Sequence, residues 1–216
     1  MKTLRTFDVA HLEDQADQLA KEVGIKTEMW QRFMRVLNEL KQHNEFMYAH
    51  SLRVGIYTCG LANHERQTNL KFPLFAGCGH DVGKCEIANA LLDSKNLQPE
   101  EFEQIKRHTT EGYARLKDSF LFTGFIAGLH HKYKPDGYGI DLDTDTPFDL
   151  KDTSKQTIIA MAQLVMLVDF FDALTTRDNN KGFIENPHDP DQQRLVMSRF
   201  FPDQLSRIEW LIAQRI

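Results

Sequence analysis

Seven residues spread along this chain can each bind a metal ion, and the segments between them read as helices. In chain order they are His50, His80, Asp81, His108, His130, His131 and Asp169. Imidazole nitrogen and carboxylate oxygen are ligands that first-row cations such as iron, manganese and zinc accept. The sequence has nine histidines, so most of them fall in this one pattern. The pattern predicts a dinuclear metal site on a helical scaffold that hydrolyses a phosphate ester.

Asp169 is the most informative of these residues because of its surroundings. It follows an apolar run over residues 158–168 and precedes Phe170 and Phe171. Burying a carboxylate in such a helix is costly unless the group is paired or bound to a metal. Alone, Asp169 equally fits a residue that emerges at the surface where the helix turns. Beside the other six donors, metal binding is the favoured interpretation.

The His80–Asp81 pair lies in the sequence Gly-Cys-Gly-His-Asp-Val-Gly-Lys. Glycines on both sides allow the backbone to come close to a ligand. Lys84 follows Asp81 by three residues, which on a helix places both side chains on roughly the same face. A lysine there can meet a phosphate as a mobile point charge. The alternative for Lys84 is a solvated surface lysine.

His130 and His131 are neighbours, and consecutive helical residues point about 100° apart because a turn takes about 3.6 residues. Both can reach one ion only at a helix end, which the loop beginning at Lys132 supplies. Asp172 is predicted either to orient a ligand or to cap its helix. The other four histidines are predicted to be surface or structural residues: His11, His43, His64 and His188.

The elements that must position these residues are helices, because apolar residues recur at steps of three and four. We predict an all-α bundle with an N-terminal helical extension (1–44), a core domain (45–185) and C-terminal helices that pack on it (186–216). A long loop over 132–152, rich in proline, glycine and aspartate, is expected to be functional. The predicted helices cover residues 46–61, 72–78, 99–108, 112–116, 120–131, 155–176 and one or two segments within 190–216.

Net charge, apolar runs and cysteine count indicate which partners and which cellular location to expect. A net charge of −5 argues against a nucleic acid polymer, whereas a local metal site still permits a small phosphorylated ligand. The longest apolar run is shorter than the ~20 residues of a membrane span, and we expect neither a span nor a secretory signal. Three cysteines without a C-x-x-C pair fit a reducing cytoplasm. Cys78 and Cys85 are soft donors beside His80, but small buried apolar residues are the favoured interpretation.

These motifs resemble the HD superfamily of metal-dependent phosphohydrolases and, within it, the HD-GYP group. Residues 80–84 are similar to the HD-x-G-K element, residues 91–113 to the segment that follows it, and residues 169–175 to the closing aspartate motif. The likeness extends over residues 48–181. It implies that 45–185 is an HD-GYP-like domain that hydrolyses a cyclic dinucleotide, typically cyclic di-GMP.

The resemblance also implies a ligand set of two divalent cations, iron or manganese most often. One cation would bind His50, His80, Asp81 and Asp169. The second would bind His108, His130 and His131, with Asp81 bridging. Asp81 and Lys84 are the predicted catalytic residues, Lys84 contacting the scissile phosphate, and Arg177 and Lys181 are further predicted substrate contacts. Two such cations, ~3.5–4 Å apart, activate a water whose hydroxide attacks phosphorus in line.

The loop after His131 departs from the family pattern of His-His-Glu followed by Asp-Gly-x-Gly-Tyr-Pro. Lys132 replaces the glutamate, the spacing is one residue longer, and Ile140 follows Gly139 where the tyrosine would stand. The departure bears on substrate and partner preference more than on metal binding. Phe46 occupies a position where some members carry a glutamate that supports a third metal, so two metals are predicted.

Two alternatives remain. The same chemistry could serve nucleoside monophosphates or other small phosphate esters, as in many HD proteins. Alternatively, the chain could be a non-catalytic nucleotide-binding signalling module, which the altered loop suggests. Against the second alternative, all seven metal-ligand positions are filled. The sequence is also compatible with a homodimer or with a signalling partner.

Overall fold

The computed structural model describes residues 8–94, 96–147, 149–176 and 183–214. Within those ranges the chain is helical and contains no β-strand, which confirms the predicted all-α fold. Two 3₁₀ helices span Val82–Glu86 and Pro202–Gln204. The α-helices are α1 Val9–Glu22, α2 Thr27–His43, α3 Glu45–His64, α4 Lys71–Gly79, α5 Asn89–Leu92, α6 Pro99–Lys106, α7 His108–Leu116, α8 Leu121–Leu129, α9 Asp152–Thr176, α10 Pro190–Phe200 and α11 Leu205–Ala213.

Most predicted helices are present, but several bounds differ. Helix α9 begins at Asp152 rather than at residue 155, and the short helix α5 lies where a connection was predicted. The predicted helix over 99–108 ends at Lys106, and α7 begins at His108. Arg107 is the cap residue of both helices, so the chain bends there. His108 therefore stands at the start of a helix and not at the end of one.

Helices α1 and α2 pack on α3 and share a core with it. Their apolar stripes are buried, and Phe33 and Leu37 have no exposed surface. A polar link ties α1 to α3, because Tyr48 Oη donates to Glu13 Oε1 at 2.7 Å. Burial and Glu13 raise the pKa of Tyr48, which keeps its hydroxyl protonated as the donor. The N-terminal helices thus support the segment of α3 that carries His50.

Helix α9 crosses the centre of the fold and contacts α3, α4, α8 and α10. By length and composition alone it is apolar enough to cross a membrane, but 56% of its apolar window is buried inside the fold. Core helices of soluble proteins can have the same length and apolar composition. The burial follows from α9 packing on four other helices, and it explains the apolar run noted in the sequence.

Candidate metal centre

The seven predicted donors come together in one place. Each stands in a helix or at the end of one, so their side chains converge where several helices meet. The elements that carry them are α3 (His50), the end of α4 (His80 and Asp81), the start of α7 (His108), the end of α8 (His130 and His131) and α9 (Asp169).

The donors form two groups, and within each group the ligand atoms lie within 4.8 Å of one another. Cluster A is His50, His80, Asp81 and Asp169, and cluster B is His108, His130 and His131. In cluster A, His50 Nε2 lies 3.1 Å from Asp169 Oδ1 and His80 Nε2 lies 3.3 Å from Asp81 Oδ2. In cluster B, the Nε2 atoms of His108 and His130 are 3.3 Å apart.

Asp81 lies between the two clusters and presents one oxygen to each. Its Oδ2 is 3.4 Å from His50 Nε2 and 3.3 Å from His80 Nε2. Its Oδ1 is 3.4 Å from His108 Nε2 and 3.8 Å from His130 Nε2. A carboxylate placed in this way can hold two cations side by side.

Backbone carbonyls fix the direction of three of the histidine rings. The Nδ1 atoms of His80, His108 and His130 contact the carbonyl oxygen three residues earlier, at 2.7, 2.6 and 2.9 Å. A carbonyl only accepts, so each Nδ1 must carry the proton and donate it. In the neutral ring the lone pair then lies on Nε2, which points into the centre, as in metal-binding histidines generally.

His50 is oriented by a carboxylate instead. Its Nδ1 lies 2.7 Å from Asp172 Oδ2, and Arg53 binds Asp172 with two nitrogens at 2.7 and 2.9 Å. Burial raises the pKa of Asp172, but Arg53 and His50 outweigh it and hold that pKa below its usual value. Asp172 therefore orients a donor, one of the two roles predicted for it. Arg53 was not predicted; its signal is a charged residue three positions after His50 in an otherwise apolar helix.

One of the glycines beside His80, Gly83, has a role in packing that was not predicted. A Cβ on Gly83 would lie 2.0 Å from the carbonyl oxygen of His108 and 2.5 Å from the nitrogen of Gly112. Gly83 thus allows the 3₁₀ helix and α7 to touch backbone to backbone. This close contact brings His108 to Asp81, so the glycine serves helix packing rather than the close approach of a ligand.

Burial sets the protonation of cluster B. It lowers the pKa of His108 to about 4 and, together with neighbouring histidines, holds the pKa values of His130 and His131 well below the usual range. The three rings are therefore neutral at pH 7, which is the form that binds a cation.

Cluster A carries charge. Burial raises the pKa of Asp81 and Asp169, but His80, Lys84 and His50 outweigh it, so both carboxylates are ionised. Burial lowers the pKa of His80, yet the two carboxylates reverse this and raise it to about 10. The centre thus holds a proton that a bound cation would displace.

The donor chemistry fits a cation, since His80 Nε2 and Asp81 Oδ1 are buried and make no hydrogen bond to the described residues.

Lys84 and Asp169 both lie against the centre, and the surface interpretations of these residues are wrong. The Lys84 ammonium binds Asp81 Oδ2 and lies 3.8 Å from Met47 Sδ, and the residue is 6% exposed. The Asp169 side chain is 13% exposed. None of the cysteines belongs to either cluster. Cys78 is buried, as the apolar interpretation predicted, whereas Cys85 is only partly buried.

A cavity of about 270 Å³ opens onto the centre. Lys84, His108, His131 and Asp169 line its inner end, and apolar residues of α5, α6 and α9 line much of the rest. Its mouth includes Lys134 and Tyr138 from the loop after α8. Sequence reasoning did not single out either residue. Arg177 and Lys181, the predicted substrate contacts, lie outside the described residues.

Comparison with known proteins agrees with this geometry. The family model described as HD domain matches residues 47–176, a range that contains all seven donors. The chain belongs to the HD domain family. It is 30% identical over 151 residues to a cyclic di-GMP phosphodiesterase of Thermotoga maritima, and the alignment covers 67% of this chain and 39% of that relative. The chain thus spans about two fifths of the length of that curated relative.

Proposed function

We propose that this protein is a metal-dependent phosphodiesterase that hydrolyses a cyclic dinucleotide, cyclic di-GMP being the first candidate. The observation that carries the proposal is the position of Asp81, whose two oxygens face two separate groups of metal donors. The activity named for the Thermotoga maritima relative supports the choice of substrate. A soluble, cytoplasmic protein is part of the same proposal.

Clusters A and B would each hold one divalent cation, with iron or manganese the first choice. Two such cations supply an activated water and neutralise charge on the phosphate. Asp81 would hold both through its separate oxygens, and Asp172 and the backbone carbonyls would keep the imidazoles aimed inward. Lys84 would stabilise the charge that develops on the phosphate oxygens, because its ammonium lies at the wall of the cavity beside Asp81.

The cavity size favours a second candidate within the same chemistry. A volume of about 270 Å³ is at the lower end of the ~300–1,000 Å³ typical of small-molecule pockets. A nucleoside monophosphate or another small phosphate ester fits that volume more readily than a cyclic dinucleotide.

The test is a hydrolysis assay of metal-replete protein with cyclic di-GMP, its linear dinucleotide and a nucleoside monophosphate. We expect turnover of cyclic di-GMP that His80→Ala abolishes, because that substitution removes a cluster A donor. The control is His11→Ala, an exposed histidine of α1 outside both clusters. Turnover of the monophosphate alone would assign the second candidate. Binding of nucleotide without hydrolysis of any substrate by metal-replete protein would leave the non-catalytic module as the function.

A further inference from the structure

His131 differs from the other four histidines of the centre in what its distal nitrogen contacts. The Nδ1 atoms of those four face a carbonyl or a carboxylate. The Nδ1 of His131 faces the ammonium of Lys134, at 3.4 Å. An ammonium has only donors, so in this contact Nδ1 must accept with its lone pair. With Nδ1 as the acceptor, the ring proton lies on Nε2, the atom that faces the centre.

The position of that inward proton agrees with its surroundings. His131 Nε2 lies 4.0 Å from Asp169 Oδ2, so a carboxylate lies near the N–H. To bind a cation, His131 must shift its proton to Nδ1, where it then opposes the donor of Lys134. Lys134 also places a positive charge one imidazole ring away from the atom that would bind the metal. Both effects oppose a cation in cluster B and leave cluster A unaffected.

Lys134 is held in this place by its loop. Its ammonium lies 5.0 Å from the centre of the Tyr138 ring, a cation–π distance. The Tyr138 nitrogen donates to the His131 carbonyl at 3.2 Å, and the two rings are 4.9 Å apart. Lys134 thus lies between Tyr138 and His131 at the cavity mouth. Its position beside the ligand follows from these contacts.

The donor types of the two clusters also favour cluster A as the stronger metal site. Cluster A contains two carboxylates, Asp81 and Asp169, whereas cluster B consists of three imidazoles and receives only the second oxygens of those carboxylates. A hard divalent cation gains more from carboxylates than from imidazole alone. The composition of the clusters and the contact at His131 therefore point in one direction.

We propose that the two metal sites are unequal: cluster A binds its cation tightly, and Lys134 makes cluster B a weak site that fills last. This inference rests on the proposed dinuclear centre. Groups that hydrogen-bond to metal-binding histidines typically change the affinity for the metal by about 10–100-fold. We therefore expect the second cation to bind at least about tenfold more weakly than the first.

The test is calorimetric titration of metal-free protein with Mn²⁺, followed by metal analysis after gel filtration. We expect two binding steps in the wild type. His80→Ala should remove the tight step and His108→Ala the weak one, because these residues belong to different clusters. Lys134→Gln should tighten the weak step by about tenfold or more, since its amide oxygen can accept from Nδ1. Lys134→Met removes the charge without adding an acceptor and should tighten that step less.

Lys132→Gln is the matched control, because it removes the same charge from the same loop at a residue that does not line the cavity. It should leave both steps unchanged. Two equal steps in the wild type, an unchanged weak step in Lys134→Gln, or an equal effect of Lys132→Gln would each overturn the inference. Failure of the tight step in the wild type would instead overturn the proposed function itself, so the two failures are distinguishable.

Discussion

The metal-donor end of the bundle and the mouth of its cavity are built in different ways. At the donor end, His80, His108 and His130 are each fixed by a carbonyl three residues earlier. At the mouth, Lys134 and Tyr138 stand on a loop that folds back on α8 through a few backbone hydrogen bonds, such as Tyr138 to His131 at 3.2 Å. The difference teaches that helix geometry fixes the metal donors, whereas the loop after α8 lines the cavity that leads to them. Substitutions in the two regions should therefore have separable effects.

The largest effect on metal binding is expected from Gly83→Ala. The new Cβ would overlap backbone atoms of His108 and Gly112, which cannot move aside as a flexible side chain can. Helix α7 must shift away from Asp81, so the variant should lose cluster B binding and about 1–3 kcal/mol or more of unfolding free energy. Urea unfolding and metal analysis measure both.

Gly137→Ala, in the loop at the cavity mouth, is the matched control for this prediction. Its Cβ would meet the Lys132 carbonyl oxygen at 2.1 Å, a clash of similar size, but in an exposed loop. We expect that loop to relax, with a smaller loss of stability and intact metal binding. Equal loss of metal in both variants would contradict the separation of the two regions.

A large effect, confined to the donor end, is expected from Asp172→Asn. The substitution leaves the buried Arg53 guanidinium without its anionic partner, which typically costs about 3–5 kcal/mol. The pKa of Asp172 is lower in the folded chain than the ~3.9 of an unfolded aspartate. The ion pair thus contributes full stability above about pH 4, and the contribution is lost as pH falls through the folded pKa.

Urea unfolding of metal-free wild type and Asp172→Asn at several pH values checks this prediction. The difference in unfolding free energy should be constant near pH 7 and should shrink below about pH 4. Asp14→Asn, on the exposed side of α1, should show little difference at any pH. If the difference in unfolding free energy between the wild type and Asp172→Asn grew as the pH fell, the predicted pH dependence of the ion pair would be wrong.

The smallest effect is expected from Tyr138→Ala at the mouth. If the substrate carries a base, the Tyr138 ring offers it a stacking surface, and such contacts are worth about 1–3 kcal/mol per base. The substitution should raise KM by about fivefold or more, with kcat little changed and no fall in metal content. Tyr138→Phe keeps the ring and should restore KM. A fall in metal content without a change in KM would place Tyr138 in the donor framework instead.

Much of the donor end could be predicted because some donors follow from local rules and the family resemblance implied the rest. An aspartate closing an apolar run and a His-Asp pair between glycines are visible without coordinates, and the donors they indicated do converge. The role of Gly83 was misread because its neighbour is His108 of α7, a contact between segments distant in sequence. The break at Arg107 was also missed, since no glycine or proline marks it.

The cavity mouth could be predicted less well. The loop departs from the family pattern after His131, and the extra residue and altered motif left no template for the contacts of Lys134 or Tyr138. Their contacts depend on how the loop folds back on α8, where Ile140 donates to the Gly128 carbonyl at 3.0 Å. Periodicity says nothing about such a turn. The proposed substrate contacts at Arg177 and Lys181 remain predictions.

Anomalous X-ray diffraction from crystals grown with Mn²⁺ tests the central claim most directly. The account predicts two anomalous peaks, one on each side of the Asp81 carboxylate, separated by about 3.5–4 Å as in two-metal hydrolases. Asp81→Asn crystals should lose the cluster B peak or both. A single peak remote from Asp81, or no peak at full Mn²⁺ loading, would contradict the claim that this carboxylate holds two cations.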